Sequence, residues 1–284
     1  MAESTETISS GPTVNTKPIH VSALTPAAAD AGERAAELIR YGAKVKISKE
    51  AIMVKALAIN GSPRKDKGNT AAVLAPFIQG VIDAGAEVEL FYASKLKIEP
   101  CTCGSMYCWN DSSGDCCIDD DMQLLYPKLR KADILILATP IYIPLPGDMQ
   151  NVINRLCPLI EPFLEYRQGR TRARFHKDVR IKKIVLVSTG GWLEIENFGT
   201  VVRIVKELAE VASVKFGGAI LRPHAFAMKQ DGQFTKDGEE ILEELRKIGI
   251  ELIHKGVMNH ESLEMISRPL ISKEELWQRY NKAL

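Results

Sequence analysis

KALAINGSPRKDKGNT, Lys55 to Thr70, is the stretch whose reading decides the fold. Ala56 to Ile59 is a short apolar run of the kind that a buried strand uses. Asn60, Gly61, Ser62, Pro63 and Arg64 then turn the chain, and Gly68, Asn69 and Thr70 open a helical pattern. A strand running through a glycine-containing loop into a helix N-terminus leaves backbone N–H groups without partners, at the positive end of the helix dipole. Ser62, Asn69 and Thr70 add hydroxyl and amide donors and Arg64 adds a charge. The arrangement suits an anion, although an ordinary strand–turn–helix connection has the same composition. Lys-Ser/Thr does not follow the glycines, so this is not a Walker A loop, and a G-x-G-x-x-G fingerprint is absent.

Outward from this loop, strand and helix patterns alternate. Strands are expected at Val54–Ile59, Val88–Tyr92, Ile134–Ala138, Ile184–Ser188 and Phe216–Leu221. Helices are expected at Thr70–Ala84, Met122–Lys131, Asp148–Leu164, Phe198–Ala212 and Asp237–His254, with Pro76 and Pro127 kinking or shortening two of them. The strands are near-continuous apolar runs, as they are where helices cover both faces of a sheet. Five such units specify an α/β fold, a doubly wound five-stranded parallel sheet of flavodoxin order 2-1-3-4-5. Ligands of such sheets sit at the carboxyl ends of the strands, where Ser62, Thr139 and Ser188 fall. This core occupies residues 51–258. Residues 1–50 are expected as a polar arm with an accessory helix at Ala27–Tyr41, and residues 259–284 as a C-terminal tail packing on a partner surface.

Two further loops follow strands. Thr139–Gly147, TPIYIPLPG, holds three prolines, which stiffen the backbone beside an acceptor-poor surface, with Asp148 placed to cap the next helix. Ser188–Trp192, STGGW, has paired glycines that permit close backbone approach. Cys101, Cys103, Cys108, Cys116 and Cys117 crowd one segment, and Cys157 stands apart on an expected helix. Soft thiolates select zinc or iron–sulfur clusters, and C-x-C-x4-C-x7-C supplies four ligands, Cys101, Cys103, Cys108 and Cys116; free or redox-active thiols and zinc are the other readings. Asp119, Asp120 and Asp121 are expected to stabilise the start of the following helix. Arg170, Arg172, Arg174, His176, Lys177, Arg180, Lys182 and Lys183 read as a basic hairpin, either a solvated surface or a rim for an anionic cofactor or acidic redox partner.

GSPRKDKGNT resembles the FMN phosphate loop of the flavodoxin-like NADPH-dependent FMN reductases, in particular their iron–sulfur flavoprotein branch, over about Lys55 to Ala225. The resemblance implies that Ser62, Arg64, Gly68, Asn69 and Thr70 hold the FMN phosphate. TPIYIPLPGDMQNVINR is similar to the family's isoalloxazine loop, so Thr139, Pro140, Ile141, Tyr142 and Ile143 would line the flavin. By position Ser188, Thr189, Gly190, Gly191 and Trp192 form the third flavin loop. The branch carries C-x2-C-x2-C-x4–7-C before an acidic helix start, matched here by Asp120, Asp121 and Met122; the second and third cysteines are each displaced by one residue. A [4Fe–4S] cluster exchanging electrons with FMN is thereby implied, with NAD(P)H as co-substrate. Two readings remain open: an oxidoreductase with a small acceptor such as a quinone, or a carrier between ferredoxin-like proteins. The family also implies a homo-oligomer, dimer or tetramer.

A net charge of +1, with 45% apolar and 26% charged residues, gives no reason to expect nucleic acid or an anionic membrane. The longest apolar candidate, Ile134–Leu145, is broken by Pro140 and Pro144 and does not make a membrane span. The polar opening MAESTETISSGPTVNTKP lacks the regions of a secretory signal, so a cytoplasmic location is expected, where six cysteines stay reduced or bind metal.

Overall fold

The structure, a computed structural model, describes residues 53–112 and 114–282; the expected arm and the helix at Ala27–Tyr41 lie outside the described residues. Strand β1 (Lys55–Asn60) leads through the glycine loop to helix α1 (Asn69–Asp83), and β2 (Glu87–Tyr92) follows. The irregular cysteine segment contains one short helix, α2 (Tyr107–Asn110), and ends at α3 (Met122–Lys131). Next come β3 (Ile134–Pro140), α4 (Gly147–Asn154) and an antiparallel hairpin of β4 (Ile160–Arg167) and β5 (Arg170–Phe175). The sheet is completed by β6 (Lys183–Thr189), α5 (Gly199–Val211) and β7 (Lys215–Arg222). A two-residue ribbon, β8 (Lys229–Gln230) and β9 (Gln233–Phe234), precedes α6 (Lys236–His254), α7 (His260–Ser267) and α8 (Lys273–Asn281).

The sheet order is β2-β1-β3-β6-β7, every neighbouring pair parallel, which is the expected flavodoxin order. β1, β3 and β6 lie inside the sheet and are buried on both faces, which is why they read as unbroken apolar runs. One core layer packs Leu57, Leu135 and Leu186 against α3, α4 and α5; the other packs Ala58, Ile136 and Val187 against α1 and α6. α1 and α6 approach closely at Gly80 and Gly249. A Cβ on Gly80 would stand 1.9 Å from the Arg246 carbonyl oxygen, and one on Gly249 2.3 Å from that of Phe77.

Four expectations need correction. The helix expected over Asp148–Leu164 ends at Asn154; a 3-10 turn, Cys157–Leu159, and strand β4 take its second half. Pro158 and Pro162 have no N–H to donate to a continuing helix, so two of its hydrogen bonds could not form. Asp148 makes no capping bond, since α4 begins after Pro146 with no side-chain cap. α1 and α3 run on through Pro76 and Pro127. The C-terminal helices return to their own chain: Ile266 and Leu276 are buried in it.

Candidate functional site

The carboxyl ends of β1, β3, β6 and β7 meet along one edge, and the loops beyond them are bonded directly to each other. Gly61 N donates to the Ala138 carbonyl (2.8 Å), and Ile141 N donates to that of Thr189 (2.8 Å). Thr70 Oγ1 and Thr189 Oγ1 share a buried hydrogen bond of 2.8 Å, which joins the first helix to the third loop. Ser188 Oγ donates to the Thr139 carbonyl at 2.9 Å, which joins the third loop to the second. Gly190 is closely packed: a Cβ there would sit 3.1 Å from the Phe198 ring and 3.2 Å from Ile141, tighter than ordinary contact. The three loops are therefore neighbours, joined through Gly61, Thr70, Thr139, Ile141, Ser188 and Thr189.

Within this edge, Ser62, Thr70, Thr139, Ser188 and Thr189 are buried, while Arg64, Tyr142, Ile143 and Trp192 face outward. Asn60 Oδ1 accepts from Ser62 N (2.9 Å) and Ser62 Oγ accepts from Arg64 N (3.3 Å), so the loop folds on its own side chains. Asn60 Nδ2 is buried without a hydrogen-bond partner, and the N-terminus of α1 at Gly68 has no side-chain cap. A Cβ on Gly68 would reach to 2.9 Å from Ser62 Oγ. Unpartnered donors beside a glycine at a helix N-terminus fit a phosphate. Ile143 is fully exposed, and the Ile143–Pro144 peptide is cis. Trp192 does not stand alone: the Tyr280 ring of α8 lies 5.6 Å from it and 6.3 Å from Phe226. Tyr280 was outside every motif in the sequence.

The second cluster lies beside α4. Cys101, Cys103, Cys108, Cys116, Cys117 and Cys157 all line one small cavity with Arg155. Cys108 and Cys157 touch at 3.6 Å, Tyr107 N donates to Cys103 Sγ (2.9 Å), and Arg155 Nη2 donates to Cys116 Sγ (3.3 Å). Arg155 is buried against Asp120 (2.6 Å), with each side chain about 1% exposed. It also donates to the carbonyl of Glu99 (2.9 Å). Burial works to raise the Asp120 carboxyl, but Arg155 and the N–H groups of Glu99 and Met122 outweigh it and hold the group below its usual range. Burial, with Cys157 close by, pushes the Cys108 thiol up to about 12. The Cys103 thiol lies lower than usual, chiefly because Tyr107 N–H points at it.

The family model of the NADPH-dependent FMN reductases matches residues 54–233. The chain belongs to that family. Members similar to it include an iron–sulfur flavoprotein of Archaeoglobus fulgidus, 36% identical over 107 residues, 37% of this chain and 46% of that one. One from Methanosarcina thermophila is 34% identical over 36% of this chain and 52% of that protein. The chain thus spans about half the length of the curated relatives it matches. An NAD(P)H:quinone oxidoreductase from Methanothermobacter marburgensis shares the fold, with TM-score 0.50 at 17% identity over 71% of this chain and 98% of that one.

For a member of the FMN reductase family, the donor set of the cysteine cavity suits an iron–sulfur cluster in chemistry: thiols, with an N–H and a guanidinium aimed at two of them. Among the described residues no group of three His, Cys, Asp or Glu side chains is set to hold a metal ion. Asp120 Oδ1 accepts from Met122 N (3.0 Å) at the start of α3, as expected of the acidic run, whereas Asp121 instead accepts from Lys97 N (2.7 Å).

The other candidates have structural work. His224 is fully buried; its Nε2 accepts from Leu270 N (2.9 Å) and faces Arg222 Nη2 (2.9 Å). Burial first, and the Arg222 charge second, lower its pKa to about 4, so it is neutral and holds the C-terminal segment. The basic hairpin is largely paired: Arg170 and Arg172 bond Glu207 and Glu210 of α5, and Arg174 bonds Glu161 at 2.6 Å. Its strand β5 is tied through Phe175 N to the Ala212 carbonyl at the end of α5, away from the three loops.

Proposed function

We propose that the loop edge of the sheet binds FMN and that the chain is an FMN-dependent oxidoreductase. The phosphate would be held by Ser62, Arg64, Gly68, Asn69 and Thr70. The ring would lie against Thr139, Pro140, Ile141, Tyr142 and Ile143 on one loop, and against Ser188, Thr189, Gly190, Gly191 and Trp192 on the other. The observation that carries this reading is the direct bonding of the three loops, through Thr70 with Thr189 and Ser188 with Thr139. When bound, FMN supplies the redox chemistry, accepting electrons in pairs from a nicotinamide and releasing them to an acceptor. The chain's part would be to fix the phosphate with the first loop and to line the ring with the second and third, near the exposed Tyr142, Ile143 and Trp192. The donor is NAD(P)H or a reduced carrier, and the acceptor is a small molecule such as a quinone or an iron–sulfur cluster on the cysteine segment. The chain works as a homo-oligomer, the outward Tyr142 and Ile143 being placed for a second subunit.

A second reading, an electron carrier between ferredoxin-like proteins with no small substrate, draws on the thiol-lined cavity. Steady NADPH oxidation with a quinone supports the first reading; reduction by ferredoxin alone supports the second. FMN titrated into the purified full chain tests both at their root. The expected result is one FMN per chain, with Arg64→Ala weakening binding about tenfold through loss of a charge-assisted bond. A colourless protein that leaves FMN fluorescence unchanged would overturn the assignment.

A further inference from the structure

The linear cysteine pattern and the folded cavity choose different ligands. In sequence, Cys101, Cys103, Cys108 and Cys116 form the compact series and Cys157 lies forty-odd residues further on. In the fold all six thiols line one cavity, and burial divides them cleanly. Cys101 and Cys117 are exposed; Cys108 is buried, and Cys103, Cys116 and Cys157 are half-buried. Each of the shielded four has a polar partner in the cavity, and the exposed Cys117 reaches only one of them, Cys103. Cys103 receives Tyr107 N–H, Cys116 receives the Arg155 guanidinium, and Cys108 and Cys157 face each other at 3.6 Å. Donors aimed at sulfur stabilise the thiolate form that a cluster requires, and shielding keeps water and oxidants from the iron.

Cys157 has a mechanical advantage as well. It begins the 3-10 turn after α4, between Leu156 and Leu159, which are both fully buried. Cys101 sits in an irregular stretch with no regular element around it. A site gains definition when at least one ligand is carried by a rigid element.

From this juxtaposition we infer that the cluster ligands of this chain are Cys103, Cys108, Cys116 and Cys157, with Cys157 taking the place that the linear motif gives to Cys101. The inference rests on the cluster reading above. Each of the four thiols loses its proton to solvent as its sulfur binds a separate iron, and Cys108 and Cys157 must part to do so. Cys101 and Cys117 stay outside as free thiols.

The test is anaerobic reconstitution of the full chain with ferrous iron and sulfide, reading protein-bound iron, labile sulfide, the visible absorption of the cluster and the EPR signal after reduction. The wild type should take up about four irons and four sulfides per chain. C101S and C117S should match it in all four readouts. C157S should lose the cluster while still binding FMN, which reports an intact fold. A C101S protein that fails to load overturns the inference whatever C157S does, and so does a C157S protein that loads to the wild-type level with an unchanged EPR signal. A wild type that takes up neither iron nor sulfide overturns the cluster reading itself, a result distinct from either.

Discussion

At the loop edge of the sheet, three segments hold one another through their own backbones and hydroxyls: Gly61 to Ala138, Ile141 to Thr189, Thr70 to Thr189, Ser188 to Thr139. The cysteine segment is built the opposite way. Between Leu96 and Met122 its described residues hold one four-residue helix, and its most deeply buried tie is one cation, Arg155, which reaches Asp120, Cys116 and the Glu99 carbonyl, while Arg130 to the Gly114 carbonyl and Asn151 to the Ile98 carbonyl add less buried ones. A site that many short bonds define tolerates the loss of any one. A site whose only buried ion pair among the described residues runs through one residue depends on that residue more heavily.

The largest effect should therefore follow Arg155→Met. It leaves the Asp120 carboxylate buried and unpaired, and removing one partner of a buried ion pair costs about 3–5 kcal/mol. Urea unfolding should show a loss of that order, and Asp120→Asn in the same chain should restore part of it. FMN affinity should fall much less than stability. A variant that unfolds like the wild type would show that the segment has other anchors, and one that loses FMN in proportion would merge the two regions into one.

How each region read from sequence follows from the same contrast. The loop edge was legible because each of its parts is local: an apolar strand, a turn with Gly, Pro or both, then a helix, three times over. The strand order and the bounds of α3 follow from those patterns. The cysteine cavity was legible only in its motif. The place of Cys157 in the cavity was hidden because the helix expected over Asp148–Leu164 runs past Pro158, where the chain in fact turns and enters a hairpin. Arg155 could be named as part of a helix end but not as the clamp, since its partners stand 35 and 56 residues away. Tyr280 reached the loop edge through packing of α8 that no local pattern encodes. Long-range polar choices of this kind leave no period in the sequence.

A second measure separates the loop edge from the tail that closes over it. His224 is held neutral with a pKa near 4, against 6.5 for an unperturbed histidine. The unfolded chain thus binds the proton more readily between those values. Stability from this group is complete above about pH 6.5 and is lost as pH falls towards 4, by up to roughly 3 kcal/mol. His224→Gln keeps an acceptor for Leu270 N and should flatten that part of the stability–pH curve. A curve with the same slope in both proteins would place the acid sensitivity elsewhere.

The smallest effect should come from Thr70→Val, which deletes one strut of the loop edge and nearly preserves volume. The Thr70–Thr189 hydroxyl bond is buried, so one partner is left without its mate, at a cost of about 1 kcal/mol in the absence of FMN. If the Thr70 hydroxyl also donates to the phosphate, FMN affinity should fall about tenfold on top of that loss. The two quantities separate cleanly, one from thermal unfolding without FMN and the other from fluorescence titration. Lost stability with unchanged affinity would make Thr70 a strut alone and move the phosphate contact to Ser62 and Asn69. Lost affinity with unchanged stability would mean that the remaining bonds among the loops already suffice to hold the edge, which is the redundancy that Arg155 does not have.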